Sequence, residues 1–448
     1  MEKPRIVSII DQNSLDEFVQ LAELSNKTFT AEREMMIINR KDILIGSIES
    51  AASQKEMLNN FLTESNIKNP KYTLLKIPRR PKWTETMTAH EIQTQENMAF
   101  LIWRKEIATM EENNINLAIT PFEKNLEVWK QLWRVIEKSD ILLQIVDARN
   151  PYFFYSADLE KYIKERGGDK QFFLLINKAD YLSEELRAHW SAYFTENGVN
   201  HMFFSALEEQ TKLDKEEEEE VDINDELVNA EEERKRTSEE ARGFMTHLNS
   251  SYVFNRHELL SILKERARMA GKNFENRLMV GMVGYPNVGK SSVINVLCGT
   301  KRVGVASMPG KTKHFQTLNL EGSLCLCDCP GLVFPSFTNS KSEMMCCGVL
   351  PIDTMRDFIS PISLIVHRVP KEVIEQLYKI RLPAIDSRNY SASLFLQLYA
   401  ARKGHVTGRG LPNEAQAARF VLKDYVNGKL LFVHLRPDYD ASKHGPVQ

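Results

Sequence analysis

The chain predicts an α/β fold, a largely parallel sheet preceded by a mostly helical N-terminal region and followed by a mainly helical C-terminal domain. Three observations predict it. From residue 141 short apolar runs alternate with helical stretches. A glycine-rich loop, Gly284-x4-Gly289-Lys290-Ser291, stands between an apolar run and a helical one. Beyond about 340 the pattern is mainly helical. The expected division is 1–124 for the N-terminal region, 125–338 for the sheet domain and 339–448 for the C-terminal domain, a count that suits 448 residues.

Residues 1–124 are polar and rich in helix formers, apart from the basic stretch Lys76-Ile77-Pro78-Arg79-Arg80-Pro81-Lys82-Trp83. Proline breaks regular structure there, so the stretch is expected to be extended, either a solvated linker or a strip laid on a polyanion. Trp103 lies in a helical pattern, and Trp129 and Trp133, four apart, share one helix face for packing. Strands are expected at Ile141 to Val146, Phe172 to Ile176 and Met202 to Phe204. Asn255 and Glu258 form a helix-starting box before Leu259 to Met269. Then come a strand from Leu278 to Val283, the loop, a helix from about Gly289 to Leu297, and strands near Phe315 to Leu320 and Leu324 to Cys327.

Composition narrows the class. Hydrophobic residues make up 42%, enough for a real core. The six cysteines lack metal-site spacing and read as reduced thiols; Cys325, Cys327 and Cys329 alternate along an expected strand, which favours packing over zinc. No apolar run reaches the ~18 residues of a membrane span. Glu2, Asp11, Asp16 and Glu17 fit neither a secretory nor a transit peptide, so the expected compartment is the cytosol, with no membrane partner. The net charge of −3 hides an asymmetry: residues 208–240 hold sixteen Asp/Glu against five Lys/Arg, which leaves the rest at +8. A solvated, disordered-like insertion is expected over 208–250. Residues 371–448 carry twelve Lys/Arg against seven Asp/Glu, a balance that permits contact with RNA.

The chemistry lies in four short tracts. In the loop Gly284-Tyr285-Pro286-Asn287-Val288-Gly289-Lys290-Ser291, the glycines let backbone N–H groups curl around phosphates, and the helix start adds its positive end. Lys290 reaches the outer phosphates, the Ser291 hydroxyl ligates magnesium, and Val288 and Ser292 complete the cradle. Asn177-Lys178-Ala179-Asp180 ends a strand, and a carboxylate at Asp180 can accept from N1 and the exocyclic amine of guanine, a donor pair that adenine lacks. Ser205-Ala206 falls where a backbone N–H can meet the guanine O6. Asp328-Cys329-Pro330-Gly331 follows the second strand after the loop, placing Asp328 near magnesium through water and the Gly331 amide near a γ-phosphate.

Between them, Gly310-Lys311-Thr312-Lys313-His314 offers Thr312 as the threonine that closes on magnesium when the γ-phosphate is present. Thr317 is the runner-up, although a plain strand residue is the simpler reading of it. His314 ranks low as a water-orienting group. Where Ras-type enzymes orient the attacking water with glutamine, this chain has Leu332. Asn287 can help to hold a monovalent cation, potassium, between the phosphates, or it can merely shape the loop.

The guanine box precedes the phosphate loop by about a hundred residues, the reverse of the usual order. With Asp147-Ala148-Arg149-Asn150-Pro151 before the box, the chain resembles the circularly permuted P-loop GTPases of ribosome assembly. Leu75 to Trp83, Thr120 to Pro151, Pro309 to Thr317 and Ala417 to Leu431 are similar to the eukaryotic cytoplasmic large-subunit GTPases of the Lsg type. The resemblance implies binding and hydrolysis of GTP with magnesium on late precursors of the large ribosomal subunit. It implies contact with ribosomal RNA and proteins and release of a nuclear-export adaptor. It also implies that a leucine-like residue at the place of Leu332 is usual and that potassium stimulates relatives sharing Asn287. A monomer is expected. Members often begin with a Lys/Arg-rich tail, whereas this chain opens Met1-Glu2-Lys3-Pro4-Arg5-Ile6. The alternative is a GTP-stabilised RNA-binding scaffold with little hydrolysis, for which Leu332 speaks; a membrane or signalling G-protein has the wrong motif order and no lipidation signal. In this order the second switch, Asp328 to Leu332, runs toward the C-terminal helices, so loss of the γ-phosphate is expected to move 328–340 and reorient them.

Overall fold

In a computed structural model the described residues are 75–113, 119–167, 170–219, 240–271, 277–299, 316–320, 324–336, 340–383, 391–408 and 410–437. Their strands are β1 (Ile141–Asp147), β2 (Gln171–Asn177), β3 (His201–Phe204), β4 (Val253–Phe254), β5 (Leu278–Val283), β6 (Gln316–Asn319) and β7 (Leu324–Asp328). They form a sheet in the order β4-β3-β2-β1-β5-β7-β6. All pairs are parallel except β6 with β7. β1 is buried along its whole length, which explains why its sequence is apolar on both faces and does not alternate; Gln144, also buried, donates its Nε2–H to the Phe154 carbonyl at 2.9 Å. Six strands lie at the places expected. The seventh, β4, spans two residues, too few to show any period.

The order in which strands are added reverses between β1 and β5: β2, β3 and β4 extend one way from β1, and β5, β7 and β6 the other. In open α/β sheets that crevice, at the carboxyl ends of the strands, is where ligands bind. The guanine box follows β2, Ser205-Ala206 follows β3, the glycine loop follows β5 and Asp328 ends β7, so every candidate tract is delivered to the same edge.

The N-terminal helices are α1 (Ala89–Asn113) and α2 (Leu126–Lys138); α3 (Ala157–Glu165), α4 (Glu184–Glu196), α5 (Ala206–Glu219), α6 (Arg256–Met269) and α7 (Lys290–Cys298) accompany the sheet. α6 opens with the expected box, the Asn255 side chain accepting from the Glu258 amide and Glu258 from Asn255. Trp129 and Trp133 are packing residues: both are fully buried, and their indole N–H groups donate to the carbonyls of Glu123 and Pro78, each at 2.8 Å. The C-terminal helices are α8 (Lys341–Cys346), α9 (Ile359–Arg368), α10 (Lys371–Tyr378), α11 (Ala392–Lys403) and α12 (Glu414–Val426). α12 buries Ala417, Ala418, Val421, Leu422 and Tyr425, an i, i+4 stripe against its neighbours. All six cysteines are free thiols.

Three expectations are corrected. The basic stretch 76–83 is extended, but it is not a solvated linker, and its two arginines are taken up by the protein's own carboxylates. Arg79 pairs with Asp158 at 2.5 Å and Glu165 at 2.9 Å, and Arg80 pairs with Glu96 and Glu137. These carboxylates lie on α1, α2 and α3, far apart in sequence, so composition could not reveal them. Second, the insertion is narrower than 208–250: residues up to 219 continue α5, and Ala241, Phe244, Met245 and Leu248 pack on the core. Those apolar residues had been counted together with the acidic block; residues 220–239 lie outside the described ones. Third, residues 333–336 do not lead only toward the C-terminal helices. The amides of Thr120 and Glu123 donate to the carbonyls of Ser336 (2.9 Å) and Val333 (3.0 Å), and the Ser336 amide donates to Thr120 Oγ1 (3.1 Å). Phe334 sits against Trp129 and Tyr285. The exit of the Asp-x-x-Gly tract is therefore bonded to the N-terminal region.

Candidate nucleotide-binding site

The two motifs that are swapped in the chain meet directly. Asn177 Nδ2 donates to the Val288 carbonyl at 2.9 Å, and Lys178 Nζ donates to the Asn287 carbonyl at 3.1 Å, so the guanine box is bonded to the glycine loop across more than a hundred residues. Asn177 Oδ1 accepts from the Ala206 amide at 3.1 Å, and Ser205 Oγ donates to Asp180 Oδ1 at 2.7 Å. Asn177 thus pins three loops at one point, and Ser205 fixes the carboxylate of Asp180. Gly289 is required here: its φ is +98°, and a Cβ would lie 2.2 Å from Asn177 Nδ2.

On the phosphate side, α7 begins at Lys290, and Ser291 and Ser292 stand in its first turn, half-buried. Lys290 Nζ donates to the carbonyls of Gly284 (3.1 Å) and Tyr285 (2.5 Å). Burial lowers its pKa to about 8, against the opposing charge of Asp328. Asp328 is fully buried at the end of β7. Gly331 lies so close to the loop that a Cβ would fall 2.9 Å from Pro286 and 3.1 Å from Lys290 Nζ. The Leu332 side chain is buried and its amide donates to the Gly284 carbonyl at 3.2 Å, so the residue at the water-orienting place ties the two loops together. Thr312, with Lys313 and His314, lies outside the described residues; Thr317 is a residue of β6 with Oγ1 4.0 Å from Cys327 Sγ.

The geometry suits a magnesium nucleotide. Magnesium keeps several waters and takes one or two protein oxygens together with the substrate phosphates. Ser291, at the helix start, and the buried Asp328 offer oxygens of that type. Among the described residues no group of three or more His, Cys, Asp or Glu could hold a metal ion by itself.

Sequence reasoning undervalued several residues. Asp147 and Arg149 were noted only as a tract resembling others. In the structure Asp147 binds Lys178 Nζ (2.7 Å) and Arg149 Nη2 (2.7 Å). Burial alone would raise the Asp147 carboxyl, but the charges of Lys178 and Arg149 outweigh it and hold it well below the ordinary carboxylate range. Gly348 was missed altogether: its carbonyl accepts from Asn287 Nδ2 at 2.7 Å. The signal present was an Asp two residues before an Arg at the end of a buried strand; nothing local pointed to Gly348.

Comparison with known proteins agrees with this arrangement. Residues 279–383 match the family described as 50S ribosome-binding GTPase. That match begins at the strand before the glycine loop and excludes the guanine box, as expected when the two halves are exchanged. Large subunit GTPase 1 of Saccharomyces cerevisiae is 42% identical over 458 residues, covering 97% of this chain and 69% of that protein. The chain belongs to the Large subunit GTPase 1 family. The homolog of Danio rerio is 38% identical, covering 98% of this chain and 77% of its own length. The crystal structure of GNP-bound YlqF from T. maritima is similar at 18% identity and a TM-score of 0.41, over 70% of this chain and all of that one. As a member of the family the chain is a GTP-hydrolysing enzyme with a permuted P-loop domain. No helix among the described residues is long and apolar enough to cross a membrane.

Proposed function

We propose that the protein binds GTP in the crevice between the guanine box and the glycine loop and hydrolyses it on late precursors of the large ribosomal subunit in the cytoplasm. There it promotes release of the nuclear-export adaptor. The observation that carries the pocket is the pair of hydrogen bonds from Asn177 and Lys178 to the carbonyls of Val288 and Asn287. They support the reading that the Asp180 carboxylate and Lys290 face one nucleotide, the first at its base and the second at its phosphates. Asp180, Ser205 and Ala206 read guanine. Gly284, Val288, Gly289, Lys290, Ser291 and Ser292 cradle the phosphates.

Ser291, Asp328 and Thr312 would hold magnesium, which would neutralise charge on the phosphates. Lys290 and the Gly331 amide favour the charge that builds on the transferred group. Leu332 cannot orient water, so full activity depends on a partner and on potassium beside Asn287. The hydrogen bond from Asn287 Nδ2 to Gly348 fixes the amide plane that such a cation would meet. The basic balance of the C-terminal part suits ribosomal RNA or a ribosomal protein, and the protein acts as a monomer.

One experiment tests both halves. Asp180→Asn exchanges an acceptor for a donor that matches the 2-oxo group of xanthine. GTP affinity should fall by about a hundredfold or more, and binding of xanthosine triphosphate should appear. In cell extract the wild-type protein should sediment with free large subunits in the presence of a GTP analogue, and the variant only with the xanthosine analogue. Unchanged GTP preference removes the base assignment; sedimentation with neither nucleotide removes the ribosomal part.

A further inference from the structure

The residues that hold the guanine box are also bonded to the end of α12 and the segment after it. Arg149 is buried and uses three N–H groups at once: Nε and Nη2 donate to the Asp147 carboxylate (3.0 and 2.7 Å), and Nη1 donates to the Tyr425 carbonyl (3.0 Å). Its own carbonyl accepts from the His434 amide at 2.8 Å. Asp147 in turn holds Lys178 Nζ, and Lys178, in a left-handed conformation at φ +64°, reaches the Asn287 carbonyl. Tyr181, next to Asp180, donates its hydroxyl to the Asn427 carbonyl at 3.2 Å and lies under the Arg149 guanidinium. Gly428, at φ +78°, leaves room for that ring, since a Cβ there would fall 2.4 Å from the Tyr181 hydroxyl.

From this network we propose that Arg149 is a positioning residue that couples occupancy of the base site to the docking of residues 424–434. The inference rests on the guanine-nucleotide reading given above. Lys178 lies beside the base whichever phosphates the nucleotide carries. The C-terminal latch therefore responds to GDP and GTP alike and distinguishes loaded from empty protein. Fixing Lys178 on a base fixes Asp147, and with it the fork whose third arm holds Tyr425. Coupling of this kind is reciprocal, so loosening the segment at 424–434 must weaken nucleotide binding by the same factor by which nucleotide tightens the segment.

Hydrogen exchange on the full chain, read by mass spectrometry without nucleotide, with GDP and with a non-hydrolysable GTP analogue, tests this. Both nucleotides should slow exchange at 424–434 equally, by about tenfold. Arg149→Lys keeps the charge but lacks the planar fork; GDP affinity should drop about tenfold. At saturating GDP this variant should keep protection of 290–298 while 424–434 exchanges as in empty protein. Gly428→Ala leaves the Asp147–Arg149–Lys178 cluster untouched and pushes on Tyr181 from outside; GDP affinity should fall about fivefold. Exchange at 424–434 that ignores nucleotide in the wild-type protein overturns the proposal, as does wild-type GDP affinity in both variants. Failure of the wild-type protein to bind guanine nucleotide or to protect 290–298 is a separate result: it overturns the pocket itself.

Discussion

The regions on either side of the sheet domain in sequence, 75–138 and 340–436, attach to different parts of the nucleotide loops, and not to the parts chain order suggests. The N-terminal region leads into β1, yet its hydrogen bonds from Thr120 and Glu123 go to residues 333–336, just past Gly331 on the phosphate side. The C-terminal helices follow that same tract in sequence. Even so, Tyr425 and Asn427 accept hydrogen bonds from Arg149 and Tyr181 beside the guanine box, and Gly348 accepts from Asn287. The difference teaches where each region can sense the ligand. The bonds of the N-terminal region lie at the exit of the Asp-x-x-Gly tract, whereas those of the C-terminal helices reach the guanine box through Arg149 and Tyr181 and the glycine loop through Asn287.

The largest expected effect comes from the N-terminal contact. Trp129 is fully buried between Trp103 and Phe334. Trp129→Ala removes that packing and leaves a cavity, so unfolding by denaturant should lose about 3–5 kcal/mol. Local exchange should rise at 333–336 before it rises at 424–434. Equal loosening at both places would erase the distinction between the two regions.

How much of this was legible in the sequence follows from the range of each signal. Strand positions and the helix cap at Asn255 are local patterns, and they were read within a residue or two. The pocket was legible because each tract carries its own chemistry and stands at the end of a strand; the order of the strands did the rest. The Arg79 and Arg80 ion pairs were not legible, because a basic stretch looks the same whether its partners are phosphates or the protein's own Asp158, Glu165, Glu96 and Glu137. The crossed attachment was not legible either. It rests on backbone carbonyls of Tyr425, Asn427, Gly348, Val333 and Ser336, and a carbonyl has no residue identity to read.

A smaller effect tests the C-terminal attachment through pH. Burial would raise the Glu343 carboxyl, but the hydrogen bond from His434 and the charge of Arg368 together lower it to about 2. The folded value lies below the ordinary 4.5, so the stabilisation is fully present above about pH 4.5 and lost as pH falls toward 2. The difference corresponds to about 3 kcal/mol. Unfolding free energies from urea titrations at pH 6 and pH 3 should differ by about 2 kcal/mol more in the wild-type protein than in Glu343→Gln, because pH 3 still lies above the folded value and only part of the stabilisation is gone. If the variant keeps the whole acid dependence, Glu343 does not anchor these helices.

The smallest expected effect discriminates most finely between the two attachments. Thr120 is buried, and its Oγ1 accepts from the Ser336 amide. Thr120→Val keeps the shape of the side chain and removes the acceptor of the Ser336 amide, at a cost of about 1 kcal/mol. Because the Thr120–Ser336 bond lies past Gly331, away from Arg149 and Lys178, GDP affinity should stay within about twofold, whereas Arg149→Lys should lower it about tenfold. The amide of residue 336 should exchange faster in the variant, and 424–434 should remain as in the wild type. A drop in GDP affinity comparable to that of Arg149→Lys would mean that the two attachments act as one body, and that nucleotide reaches both regions through a shared core.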